Sequence, residues 1–224
     1  MTLPSARSRD TRQRLLEAAG EVFAERGFRD ATIQEICRRA DANIAAVHYH
    51  FADKERLYRA VIQYAEGCAG DSHPADIAPD TPAEKRLRGH IESFLLRLLD
   101  EGHPAWLGKL MAREMSQPTP ALDVIVQENI RTTYRRVDAI VREFLGPAAC
   151  DDDVRACVLS VQGQCLFYRH CHPVLTRLFP GLPFGREQVP GLAEHITRFS
   201  LAGIRAIARA RKAGGARSLL TSRS

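Results

Sequence analysis

No apolar run in this sequence approaches the ~20 residues that a membrane span requires. The opening stretch, MTLPSARSRDTRQR, is polar and lacks the apolar region of a secretory signal. No membrane partner is expected, and the cytoplasm is the expected compartment. No CxxC pair occurs among the six cysteines, Cys37, Cys68, Cys150, Cys157, Cys165 and Cys171. Most have apolar neighbours in helix-like segments, which predicts buried, reduced thiols in place of disulfides. Cys165, His170, Cys171 and His172 have no second closely spaced pair, so no metal site is expected. GxSxG, a Walker motif and a GxGxxG after a strand are all missing, so neither an enzyme nor a cofactor-binding protein is advertised. Strand-like alternation and internal repeats are also missing.

What is present is globular: 224 residues, 45% hydrophobic and 26% charged, enough for a small and a medium domain. The net charge of +5 is uneven. Residues 1–64 carry +2, residues 65–197 carry −4, and residues 198–224 hold seven basic and no acidic side chains. Bulk charge is therefore no proof of nucleic-acid binding, and any such argument rests on motif geometry. The tail cations Arg205, Arg209, Arg211, Lys212 and Arg217 are read as solvated, with contact to DNA or an acidic surface as the other reading.

Periodicity predicts an all-α protein. Leu15, Ala18, Ala19, Val22 and Phe23 share a helical face that Gly27 closes. Thr32-Ile33-Gln34-Glu35 is a capping box that opens a short helix with Ile33, Ile36, Cys37 and Ala40 on its apolar side. Residues 40–43 make a turn in which Asp41 tolerates a left-handed conformation. Asn43 caps a third helix that runs to about Phe51, and Asp53 caps a fourth. Residues 71–82, with three prolines, are a linker. Further helices are expected over roughly 82–101, 104–116, 119–145, 151–170 and 190–212. The proline-rich stretch 171–191 is read as mostly loop, and residues 213–224 as a basic disordered tail.

Helix, tight turn and short helix form a helix-turn-helix, whose second helix enters the major groove. Ile44, Ala45, Ala46, His48, Tyr49 and His50 are its expected exposed residues, with Val47 and Phe51 turned inward, and together with Asn43, Thr32 and Lys54 they are the candidate DNA-binding residues. Tyr49, His50, Lys54 and Thr32 are candidate phosphate partners, Lys54 and Thr32 because they lie at helix starts.

From Thr11-Arg12 through Gly27-Phe28, Ala31-Thr32-Ile33 with Ile36, and above all Val47-His48-Tyr49-His50-Phe51-Ala52-Asp53-Lys54-Glu55-Arg56-Leu57, the chain resembles the TetR family of bacterial repressors. The resemblance covers residues ~10–60. It implies an all-α dimer with an N-terminal three-helix head, residues 1–52, joined by a fourth helix, 53–68, to a larger ligand-binding and dimerisation body, 80–212. It points to Thr32, Tyr49, His50 and Lys54 as phosphate contacts. Asp41 stands where the family has a turn glycine, Asn43 for a serine, Ala45-Ala46 for Gly-Thr, and His48 for an aromatic. Ile44, Ala45 and Ala46 can contact only thymine methyls. Further on, Leu110–Met115 and Pro118–Asp123 resemble regulators with a CecR-like C-terminal domain.

Arg113 and Glu114 fall in an otherwise apolar helix, where a buried charge must be paired or must serve a ligand. Trp106, Met111 and Met115 offer polarizable surface, and Gln162, Phe167 and Tyr168 are placed facing the same cavity. These eight residues are the candidate site for an amphipathic or aromatic small molecule. Ala156, Ser160 and Gly163, with Ala202, Ala206 and Ala210, form small-residue stripes; by resemblance their helices pair with their copies in a homodimer. The expected function is a repressor released from a pseudo-palindromic double-stranded DNA operator by an effector. A regulator controlled by a protein partner, or an activator, is the alternative.

Overall fold

In the computed structural model, residues 6–72, 78, 80–99, 104, 106–147 and 149–213 are described. Among them every regular element is helical. The helices are α1 (Ala6–Asp30), α2 (Ile33–Arg39), α3 (Ile44–Phe51), α4 (Lys54–Ser72), α5 (Ala83–Leu99), α6 (Leu107–Ser116), α7 (Ala121–Ile125), α8 (Arg131–Leu145), α9 (Asp151–His170), α10 (His172–Leu178) and α11 (Val189–Lys212). Their chain clusters into two compact units, Met1–Ser72 with Glu101–Asn129, and His73–Asp100 with Ile130–Ser224.

Local chemistry sets the boundaries in the first unit. Gly27, at φ 79°, breaks α1 near its C-terminal end. The Thr32 hydroxyl accepts from the Glu35 N–H at 3.2 Å, and the Asn43 carboxamide from the Ala46 N–H at 2.8 Å. Asp41 adopts φ 47°, the left-handed turn that its short polar side chain tolerates. The Asp53 carboxylate accepts from the Arg56 N–H at 2.8 Å and starts α4. Leu15, Leu16, Ala19, Val22 and Phe23 bury the inner face of α1 against Ile36, Val47, Phe51, Leu57 and Val61. α6 and α7 belong to the same core through Trp106, Leu110, Ala121 and Ile125. The indole of Trp106 lies over Gly20, where a Cβ would stand 2.2 Å from the ring.

In the second unit α5, α8, α9 and α11 share a core of Leu87, Ile91, Leu95, Val137, Val141, Val158, Ile196 and Ile204, among others. Asp151, Asp152 and Asp153 in the first turn of α9, with Arg169 and His170 in its last, complement the helix dipole. Two cations read as part of a solvated tail are tied down here. Arg211 makes two bonds to the buried Asp153, at 2.5 and 2.8 Å, and Arg205 bonds Glu84 at 2.9 Å.

Two expectations on helix extent change. Residues 171–191 are not mostly loop, because α10 and a 3-10 turn at Arg186–Gln188 occupy much of them. Pro173 sits in the first turn of α10, where a missing N–H costs nothing. The expected helix 119–145 is interrupted by a π turn at Val126–Ile130. That turn lies at the boundary between α7, whose Ala121 and Ile125 join the first unit's core, and α8, whose Val137 and Val141 join the second's. The tail 213–224 lies, apart from Ala213, outside the described residues, as does most of the linker 71–82.

Candidate nucleic-acid interface

α3 has two faces of different chemistry. Val47 and Phe51 are 1% and 5% exposed and anchor it to the core. Ile44, Ala45, His48 and Tyr49 point outward, while Ala46 and His50 are half-buried. Tyr49 is the most open, 78% exposed, with its ring edge-on to His50 at 4.9 Å. A face this exposed on an eight-residue helix, held from behind by two buried side chains, fits the width of a major groove.

His48 supplies hydrogen-bonding chemistry that Ile44, Ala45 and Ala46 lack. Its Nδ1 lies 2.8 Å from the Ala52 carbonyl oxygen. A carbonyl only accepts, so Nδ1 carries the proton and a neutral ring offers Nε2 as an acceptor. In the major groove that acceptor complements the amino groups of adenine and cytosine. Ala52 is held in a tight turn with φ 67°, ψ −51°, closed by the Asp53 N–H on the Phe51 carbonyl at 2.8 Å.

The anchoring residues are placed less simply than their sequence positions imply. Thr32 is exposed and, while its oxygen caps α2, its hydroxyl hydrogen remains to donate. Asn43 is committed to capping α3. The Lys54 ammonium donates to the carbonyls of Arg29 at 3.1 Å and Ala31 at 2.9 Å, and lies 4.8 Å from the centre of the Phe28 ring. It closes the C-terminal end of α1 and has one N–H left for a phosphate. Burial, then the charge of Arg12, hold the His50 imidazole below its ordinary pKa. Arg12 was not singled out from the sequence as a contact residue. It is exposed, and its guanidinium sits 5.4 Å above the Phe51 ring, which places a cation beside α3. A recess of about 390 Å³, lined by Thr11, Arg14, Asp41, Ala42, Asn43 and Ala46, opens at the start of α3.

Comparison with known proteins agrees with this geometry. The family described as "Bacterial regulatory proteins, tetR family" matches residues 15–61, and "HTH-type transcriptional dual regulator CecR, C-terminal domain" matches residues 83–204. This chain belongs to the TetR family of transcriptional regulators, with a CecR-type C-terminal domain. The Shigella flexneri dual regulator CecR is 27% identical over 168 residues, 70% of this chain and 75% of its own length. The regulator TtgW of Pseudomonas putida is 35% identical over 101 residues, 44% of this chain and 68% of its own. A transcriptional regulator from Rhodococcus sp. Rha1 shares the fold with a TM-score of 0.60 at 19% identity, covering 86% of this chain and 96% of that one. HlyIIR, a hemolysin II regulator, superimposes with a TM-score of 0.59 at 22% identity, covering 85% and 98%.

In this TetR-family chain the residues expected around an effector divide between the units. Trp106, Met111, Arg113, Glu114 and Met115 are in the first. There Glu114 is 1% exposed and accepts from the Tyr58 hydroxyl at 2.6 Å and from the Thr119 N–H and hydroxyl at 2.7 and 2.8 Å. Burial, then the bond to Glu114, raise the Tyr58 phenol well above its usual range. Arg113 donates to the Glu25 carbonyl at 2.8 Å, at the end of α1. Arg113 and Glu114 therefore tie α6 to α1 and α4 separately. Trp106 is buried, Met111 half-buried and Met115 exposed.

Gln162, Phe167 and Tyr168 are in the second unit, on α9. Gln162 and Tyr168 are half-buried, whereas Phe167 is 53% exposed in line with Leu159, Ser160 and Gly163. Among the described residues no His/Cys/Asp/Glu cluster could hold a metal, and no helix is long and apolar enough to cross a membrane. Five free cysteines are described, and burial pushes Cys157 and Cys165 up to about 11 and 12, which keeps them as inert thiols.

Proposed function

We propose that the chain is a cytoplasmic, homodimeric repressor whose α3 reads a pseudo-palindromic operator and which a small-molecule effector releases. The observation that carries the reading is α3 itself: an exposed face of Ile44, Ala45, His48 and Tyr49, capped by Asn43 and held by Val47 and Phe51. In this reading residues 1–52 form the DNA-binding head, 80–212 the sensing and dimerisation body, and Thr32, Tyr49, His50 and Lys54 grip phosphates. Exposed Leu159, Ser160 and Gly163 on α9, and Phe199, Ala202, Gly203 and Ala206 on α11, support a helical face that a second copy covers. Two copies double the short sequence that one recognition helix reads.

The effector acts through α4, which starts at the γ-turn after α3, and through α6, whose Arg113 and Glu114 hold α1 and α4. It lowers operator affinity only as far as it prefers the non-binding arrangement. The relatives' names include a repressor, NicS, an activator, FasR, and a dual regulator, CecR. Activation is therefore the second reading. Selection of bound sequences from random duplex DNA, followed by a reporter assay on the recovered site, tests both. A recovered two-fold site whose reporter is silenced supports repression, and reporter induction supports activation. No salt-sensitive, sequence-selective duplex binding would sink the proposal.

A further inference from the structure

The arginines of the first unit divide by what compensates them. Arg14 lies 3.4 Å from Asp10, Arg26 2.8 Å from Glu35 and Arg56 3.8 Å from Asp53, while Arg39 and Arg59 each reach a glutamate at 2.5 Å. Arg9 and Arg12 differ. Both are exposed, and among the described residues neither side chain makes an ion pair or a hydrogen bond. The first fourteen residues hold four arginines and a single acid, Asp10, which Arg14 occupies. Arg12 is nevertheless held in place. Its guanidinium lies 5.4 Å from the centre of the Phe51 ring, and Phe51 is 5% exposed at the C-terminal end of α3. After burial, the charge of Arg12 is what lowers the His50 pKa, so the cation also acts on the residue beside Phe51. At the other end of α3, Thr11 and Arg14 line the recess with Asn43 and Ala46. The first turns of α1 therefore flank α3 at both of its ends.

We propose that Arg12, with Arg9 behind it, clamps the phosphate backbone of the duplex whose major groove receives α3. The proposal rests on the operator-binding reading above and adds α1 to the surface that touches DNA. Three observations carry it. First, a guanidinium with no carboxylate beside it gives up no ion pair to meet a phosphate, unlike Arg14, Arg26 or Arg39. Second, the Phe51 ring holds the Arg12 cation through its π face and consumes none of its N–H groups, which remain for the paired bonds that a phosphate accepts. Third, the ring that holds Arg12 belongs to α3 itself, so seating α3 in the groove brings the guanidinium to the strand at its edge. Arg9 stands three residues before Arg12 on the same side of α1 and extends the contact along that strand. The grip then comes from three elements: α1 at Arg12, the start of α2 at Thr32 and the start of α4 at Lys54.

Fluorescence anisotropy on the full chain tests this, with a duplex bearing the site recovered by the random-pool selection and salt varied between about 50 and 200 mM. The slope of log affinity against log salt carries about 0.9 for each phosphate neutralised. Arg12→Gln should weaken binding about tenfold at the low-salt end and reduce that slope by about two per dimer, one for each copy. Arg9→Gln should act in the same direction, and Arg12→Lys should keep the slope. Arg26→Gln removes an equal charge, one that Glu35 already compensates, and should leave the slope unchanged. A second arm replaces one phosphate at a time by an uncharged methylphosphonate. The unmodified chain should lose affinity at a linkage in each half-site where Arg12→Gln loses none. An unchanged slope for Arg12→Gln, an equal fall for Arg26→Gln, or methylphosphonate losses identical in both chains would each overturn the proposal and leave Arg12 as packing for Phe51. No duplex binding by the unmodified chain would sink the regulatory reading and the clamp with it, whereas the variants decide the clamp alone.

Discussion

The two units treat buried polarity differently. Among the described residues the first buries one polar or charged side chain outside its aromatic cluster, Glu114, and all the donors it needs converge on it. The second buries His90, Ser93, Asp153, Thr197 and Ser200, while buried side-chain atoms without a hydrogen-bond partner occur in both units, at Arg14 and Arg59 in the first and at Gln162 in the second. A fully satisfied knot stiffens a scaffold. On this comparison the Tyr58–Glu114–Thr119 knot is structure, and the second unit spreads its buried polar groups over α5, α9 and α11.

The largest effect expected is on the knot. Glu114→Ala strands the buried Tyr58 hydroxyl and takes the acceptor from both donors of the half-buried Thr119. A loss of about 4 kcal/mol is expected from urea unfolding. If the loss is below about 1 kcal/mol, the knot is not holding α6 to α4, and the contrast between the units disappears. Next comes pH. His90 takes up a proton near 6.5 when unfolded but only near about 4 when folded. Between those values the unfolded chain binds more protons, so stability falls as pH drops through that window. The loss totals about 3 kcal/mol, is absent above the unfolded value and levels off below the folded one. Asp153, held low by its bond to Arg211, adds its own loss at lower pH, so the His90→Asn chain is the control. Denaturant unfolding at stepped pH should lose this slope in the variant.

A smaller effect is expected where α1 and α6 meet. Gly20→Ala drives a methyl into the Trp106 indole, for a cost of about 2 kcal/mol. Trp106 is the sole tryptophan, so its emission should shift to the red as the ring is displaced. An unshifted spectrum with unchanged stability would show that the ring does not rest on Gly20.

What the sequence made legible follows the range of the interactions. The caps at Thr32 and Asn43, the left-handed Asp41 and the break at Gly27 depend on residues within four positions, and each stands where local chemistry puts it. The inward Val47 and Phe51 follow from periodicity. α10 was hidden because four prolines in 171–191 argue for loop, although Pro173 and Pro190 occupy first turns where proline is tolerated. Tyr58, which bonds Glu114, and Glu25, which bonds Arg113, lie 56 and 88 positions away, so no pattern along the chain could tell a ligand-binding pair from two struts. His90 is a single histidine on a mostly apolar helix face, and Gln162 reaches it from 72 positions away.

His48 falls between the two kinds of polar group and gives the finest test of the comparison. One of its nitrogens is satisfied at home by Ala52, and the other faces outward on α3. If leftover hydrogen-bonding capacity marks recognition, Nε2 should read one base pair in each half-site, favouring an exposed amino group of adenine or cytosine. His48→Ala should then flatten the preference at that position by about 1 kcal/mol and leave neighbouring positions unchanged. His48→Asn retains an acceptor and should retain part of it. Phosphate-directed changes behave otherwise: Tyr49→Phe should weaken all sequences alike. Competitive selection on a randomised half-site separates the two patterns. A uniform loss for His48→Ala would make the ring a strut for the Ala52 turn, and the leftover nitrogen would then carry no information about sequence.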